Sequence, residues 1–139
     1  MVLCATAAQA QSAFTVPASA LVQPAALHHE LEASPHGSLV LQVGSRMLFD
    51  EDHIPGAVYA GPASTPEGIE ALRARVTPLA RSRAIVLYCG CCPWDHCPNI
   101  APAWSLLRGM GFTHVRVLFI AHNFGTDWVS KGYGVERSQ

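Results

Sequence analysis

The run AIVLYC, Ala84 to Cys89, is almost unbroken in apolar residues. A strand with one face in water alternates polar and apolar side chains, whereas a continuous apolar run is covered on both faces. The run therefore specifies the central strand of a parallel sheet, with helices packed on either side. The chain has the means to provide them. It is 139 residues long, 50% hydrophobic and 14% charged, enough for one domain with a real core and unlike a disordered chain.

Strand and helix patterns alternate along the sequence. SALVQPAALHHELEA places Pro24 at a first helical position and Leu27 and Leu31 four residues apart. Ser38 to Gly44 (SLVLQVG) and Gly56 to Gly61 (GAVYAG) are short apolar strands. Thr65 can cap a helix that starts at Pro66, shows Ile69, Leu72, Val76 and Leu79 on one face, and stops or kinks at Pro78. After Ala84–Cys89 comes a cysteine-rich loop. A helix follows it, capped by Asn99, with Pro102 in its first turn, Trp104, Leu106, Leu107 and Met110 as its buried face, and Gly111 at its end. His114 to Ile120 is the next strand, and NFGTDWVSKGYGVE reads as a loop and a short terminal helix. The expected fold class is α/β, a parallel sheet flanked by helices on both faces.

Several function classes are excluded. Formal net charge is −1 and the nine basic residues form no run, so no nucleic-acid partner is expected. No apolar stretch approaches the roughly 18 residues of a membrane span. The first residues, MVLCATAAQAQ, are small and apolar and offer Ala8-Gln9-Ala10 as an A-x-A cleavage pattern. They are read as a truncated signal peptide over residues 1–10, followed by an extension over 11–19 and the domain over 20–139. A periplasmic or secreted location follows, with Cys4 lost from the mature protein.

The stretch YCGCCPWDHCPN, Tyr88 to Asn99, holds four cysteines and a histidine. It lies beyond the carboxyl end of the central strand and before a helix N-terminus. Ligands of open α/β sheets bind at that edge. The helix end offers unpaired N–H groups and partial positive charge, which favour a thiolate.

At these residues the chain resembles the rhodanese family of single-domain sulfurtransferases. LVLQVGSRMLFDEDHIPGAVYAGPA is similar to the family's strand, acidic linker and GHIPGA segment, here Asp52-His53-Ile54-Pro55-Gly56-Ala57. AIVLYC is similar to the strand that ends in the catalytic cysteine, which maps onto Cys89. GMGFTHVRVL resembles the helix end and following strand. NFGTDWVSKGYGVE resembles the closing motif through Phe124, Trp128, Gly132, Tyr133, Val135 and Glu136. The likeness runs from about Ala20 to the C-terminus. It implies a catalytic Cys89 that takes a sulfane sulfur from a donor such as thiosulfate. A thiol, a protein thiol among them, or cyanide then removes it from the persulfide. The persulfide would lie in a bowl of backbone N–H groups, with no cofactor and no metal.

Two departures shape that expectation. Gln42-Val43-Gly44 stands where the family has Asp-Val-Arg. The active-site loop, Gly90, Cys91, Cys92, Pro93, Trp94, Asp95, His96 and Cys97, is longer than usual, and no Lys or Arg occurs between Cys89 and Leu107. An anionic donor finds few cationic contacts there, so a neutral or protein-bound donor is expected. Three roles compete for the extra thiols. One is a structural disulfide, Cys92 with Cys97. Another is resolution of a Cys89 persulfide or sulfenic acid by Cys91 or Cys92. The third is a zinc or copper(I) site, disfavoured because the spacing is not a zinc-finger one and adjacent Cys91 and Cys92 should diverge.

Other residues are weighed beside these. Trp94 is read as a loop anchor rather than a cover for the thiols. Asp95 can orient His96, or the two can be a plain surface pair. His122 and Asn123 follow the last strand and are candidate pocket residues, His122 as a base for Cys89. His53 is read as structural, Trp104 and Trp128 as packing, and His28 and His29 as surface residues. Sulfur transfer or thiol redox through Cys89 is the expected function. The alternative is a non-catalytic module that presents the loop to a metal ion or protein partner.

Overall fold

The structure is a computed structural model and describes residues 16–138. The signal-like segment, Cys4 and most of the 11–19 extension lie outside the described residues. Five strands form one parallel sheet: β1 (Leu21–Val22), β2 (Leu39–Gln42), β3 (Val58–Tyr59), β4 (Ile85–Tyr88) and β5 (Val115–Leu118), in the order β1-β5-β4-β2-β3. Five α-helices connect and follow them: α1 (Pro24–Ala33), α2 (Arg46–Glu51), α3 (Pro66–Val76), α4 (Ile100–Gly109) and α5 (Phe124–Asp127). The expected α/β fold class holds. No helix among the described residues is long and apolar enough to cross a membrane.

The apolar run is the central strand, with all four β4 residues buried. Ile85, Leu87 and Cys89 pack into one core with Leu72, Val76, Ile100, Ala103 and Leu107 from α3 and α4. Val86 and Tyr88 pack into the other, with Leu27 of α1, Phe49 of α2 and Phe124 of α5. Full burial of such side chains stabilises by about 1.5–3 kcal/mol each. Leu87 has no exposed surface and is walled by both neighbouring strands. Leu87→Ala is expected to lower unfolding free energy by about 2–5 kcal/mol, read from denaturant melts.

Crossover handedness decides which helix covers which face. From β1 to β2 to β3 the chain moves across the sheet one way; from β3 to β4 to β5 it moves back. Right-handed crossovers then put α1 and α2 on one face and α3 and α4 on the other. β2 and β4 are neighbours, but the chain leaves them toward opposite faces, so the sheet's switch point lies between their carboxyl ends. Val43-Gly44 and Cys89-Gly90 are the residues there.

Some local expectations change. SRMLFDED, expected as a linker, carries α2, whose cap is Ser45 accepting from the Leu48 N–H at 3.5 Å. The buried residues of α4 are Ile100, Ala103 and Leu107, while Trp104, Leu106 and Met110 are only partly buried. Trp104 instead carries the Arg108 guanidinium 5.7 Å from its ring centroid. Gly111 does end the helix, at φ 93°. His53 is structural: its ring stacks on Phe49 at 3.8 Å, and Nδ1 lies 2.8 Å from the Phe49 carbonyl oxygen. Trp128 is fully buried and donates from Nε1 to the Gly134 carbonyl at 2.8 Å. His28 stacks on Tyr133 at 4.6 Å.

Candidate functional site

β4 delivers Cys89 to the switch point on the α3/α4 side, where it is 2% exposed. Gly44 passes directly against it. A Cβ on Gly44 would stand 2.6 Å from the Cys89 carbonyl oxygen and 2.9 Å from its sulfur, so only glycine fits. Gly90, at φ 101°, then turns the chain back, a left-handed conformation that favours glycine.

Cys89 forms a disulfide with Cys97, eight residues on. The pairing expected from sequence was Cys92 with Cys97, and the structure corrects it. β4 and the segment entering α4 bring Cys89 and Cys97 together in the interior, at 2% and 5% exposure, whereas Cys92 lies past the Gly90 turn and is half-buried. A loop this short stabilises by about 2–3 kcal/mol in the chain-entropy view. Reduction is expected to lower stability by that amount, measured by denaturation with and without a phosphine reductant.

The other two thiols do not diverge. Cys91 Sγ lies 3.3 Å from Cys89 Sγ and 2.9 Å from Cys92 Sγ. All four sulfurs lie within 4.8 Å of one another. Burial pushes the Cys92 thiol up, to about 11, and the hydrogen bond and charge of Cys91 push the same way. Cys91 is the exposed member.

Asn99 was expected to cap α4, but its side chain makes no cap bond. It is buried and bridges two other partners. Its Oδ1 accepts from the Ser64 N–H at 2.9 Å, and its Nδ2 donates toward Cys89 Sγ at 3.4 Å and Cys97 Sγ at 3.8 Å. The amide is thus oriented by the α3 side of the domain and aimed at the sulfur pair. The sequence offered no signal for this beyond a polar residue two positions after a cysteine.

Behind the sulfurs, on the other side of the sheet edge, is a cleft of about 460 Å³. Gln42, Tyr88, Gly90, Cys91, Phe124, Glu51 and Asp52 are among its walls, and no Lys or Arg lines it. Gln42 is 1% exposed and accepts from the Gly44 N–H at 2.9 Å, so it braces the turn after β2. Burial drives the Tyr88 phenol well above its usual range, and its oxygen accepts from the Ile54 N–H at 3.1 Å. Cys91 is the one cysteine among the cleft's walls, and its sulfur lies 3.3 Å from Cys89 Sγ.

The remaining candidates fall around this centre. Pro93 precedes a 3-10 turn over Trp94–His96. Trp94 anchors the loop: its N–H donates to the Ile120 carbonyl at 2.9 Å and its ring tilts against Phe119. His96 Nδ1 is 3.0 Å from Asp95 Oδ1, with both side chains exposed, and His96 is not part of the sulfur cluster. The His122 ring turns to Asp127, with Nδ1 3.1 Å from Oδ1, and is exposed. Asn123 does line the cleft, where its side chain accepts from the Thr126 N–H at 2.8 Å and caps α5.

A model of the rhodanese-like domain family matches residues 23–119. The chain belongs to the rhodanese-like domain family. Its fold is shared by solved rhodanese-like structures. The Alr3790 protein of Anabaena sp. is 23% identical with a TM-score of 0.65, over 84% of this chain and 92% of that one. The BH2092 protein of Bacillus halodurans is 21% identical at 0.65, over 86% and 78%. EanB, solved with hercynine, is 20% identical at 0.60, over 84% of this chain and 27% of its own. No curated protein sequence matches the chain. Within the family frame, the departures are physical: Gly44 is required by the close approach of Cys89, and the long loop is tied down by Trp94 and Cys97.

Proposed function

We propose that this rhodanese-like domain transfers sulfur through a persulfide on Cys89, with Cys97 as the resolving thiol. The observation that carries the reading is the disulfide at the switch point, joining the thiol at the end of the central strand to the one before α4. The resolving role passes to Cys97 from Cys91 and Cys92.

The cycle balances. A thiol or dithiol reductant opens the Cys89–Cys97 disulfide and is itself oxidised to a disulfide. The Cys89 thiolate attacks the outer sulfur of a donor persulfide R–S–SH and displaces RS⁻. The Asn99 amide faces the Cys89 sulfur, which holds the negative charge before the attack. The Cys97 thiolate then attacks Cys89 Sγ, re-forms the disulfide and expels hydrosulfide. A separate acceptor thiol can take the sulfur instead, returning Cys89 as thiolate.

Glu51 and Asp52 in the cleft, with no cation among its walls, support a neutral, cationic or protein-borne donor. Reduced protein is expected to gain one sulfur faster from a small persulfide with an uncharged side group than from thiosulfate, followed by intact mass. Faster loading from thiosulfate would overturn the donor assignment. The signal-like N-terminus and the disulfide both support a periplasmic or secreted location, where thiols tend to oxidise.

A further inference from the structure

We infer that the reduced loop is a four-thiolate site for one soft d10 cation, zinc(II) or copper(I), held by Cys89, Cys91, Cys92 and Cys97. This goes beyond sulfur transfer and does not rest on it.

Geometry argues first. An ion with metal–sulfur bonds of about 2.3 Å needs four sulfurs at mutual distances of about 3.8 Å. Cys91 stands 2.9 Å from Cys92 and 3.3 Å from Cys89, sulfur to sulfur, and none of the six separations exceeds 4.8 Å. Small movements of the loop after the disulfide opens give the tetrahedron. Apolar packing explains the burial of Cys89 and Cys97 but not the position of Cys91. That side chain is exposed, yet its sulfur lies against two others.

The chemistry of the donors argues second. An all-thiolate set selects soft cations, and four protein ligands leave no open position for magnesium-like or calcium-like chemistry. Asn99 gives the sulfurs an outer hydrogen-bond donor fixed by the Ser64 N–H. Such partners orient metal ligands and offset the negative charge that thiolates bring. The segment that holds the four sulfurs spans only residues 89–97, and the left-handed turn at Gly90 is what folds Cys91 and Cys92 back onto Cys89.

The consequence is a three-way choice at one sulfur. Oxidised, Cys89 is bonded to Cys97. Reduced, its thiolate either takes sulfur or ligates the ion, and the ion blocks persulfide formation. Binding converts ligating thiols to thiolates and releases their protons to solvent, with no change in oxidation state.

The test uses the full chain, reduced anaerobically with a phosphine, with zinc(II) and copper(I) acetonitrile complex added in separate arms. Native mass spectrometry reads stoichiometry, and iodoacetamide labelling reads the five cysteines of the chain. One ion per chain is expected, with alkylation of Cys89, Cys91, Cys92 and Cys97 slowed about tenfold or more. The arm with one-to-one binding at the lower free-ion concentration names the metal. A Cys91→Ser/Cys92→Ser double variant should lose that binding. Its circular dichroism spectrum and cooperative melting transition should match those of the wild type, which confirms that it folds. Undiminished labelling of reduced wild type in both arms would overturn the inference, as would an unchanged affinity in the folded double variant. Neither outcome touches sulfur transfer, which is read separately as a gain of one sulfur.

Discussion

Cys89→Ser is expected to abolish sulfur uptake from any sulfane donor, while Cys91→Ser retains it. The sulfur of Cys89 is the one at the carboxyl end of the buried central strand, beside the entry to α4 and under the Asn99 amide. A serine hydroxyl there cannot form a persulfide or a disulfide, so the variant also leaves Cys97 as a free buried thiol. Labelling of denatured, unreduced protein should show Cys97 newly reactive. Cys91→Ser changes an exposed residue that lines the cleft but leaves Cys89 and Cys97 in place. A slower approach is the expected effect there, not loss. Sulfur uptake by Cys89→Ser equal to wild type would move the chemistry to another thiol.

Gly44→Ala is expected to destabilise the domain by about 1–3 kcal/mol and to disturb the active loop at the same time. The added methyl would stand 2.6 Å from the Cys89 carbonyl oxygen and 2.9 Å from its sulfur. Neither can retreat easily. The carbonyl belongs to the exit of the central strand, and the sulfur is pinned by Cys97 and Asn99. The variant should therefore melt earlier and also reduce at a different rate, because its strain falls on the disulfide rather than on a remote core position. Leu87→Ala, of comparable or larger cost, provides the control: it lowers stability from a site below the loop. A Gly44→Ala protein with wild-type melting and wild-type reduction kinetics would contradict this packing.

The backbone plan was legible because its signals are local. The hexapeptide Ala84–Cys89 fixes a strand buried on both faces, Thr65-Pro66 fixes a helix start, and Gly111 fixes a helix end. Those features were enough to place Cys89 at the sheet edge. The site itself was only half legible. Spacing along a loop says nothing of which sulfur meets which, since that depends on the left-handed turn at Gly90 and on Gly44 arriving from another strand. Hence Cys97 pairs with Cys89 and not with Cys92. Asn99 looked like a helix cap, and its tertiary partners on Ser64 and the sulfurs took its side chain instead. Glu51 and Asp52 looked like linker residues and became cleft walls once α2 formed. His122 follows the last strand as expected, but Asp127 on α5 claims its ring.

The central claim is that Cys89 carries the sulfur and Cys97 releases it. The most direct measurement follows reduced protein after one equivalent of a persulfide donor, with hydrosulfide quantified and the cysteine linkages located by fragment mass spectrometry. The account predicts a transient gain of one sulfur on Cys89, then one hydrosulfide released for each Cys89–Cys97 disulfide formed. Sulfur retained on Cys91 or Cys92, or hydrosulfide released with Cys97 still a free thiol, would contradict it.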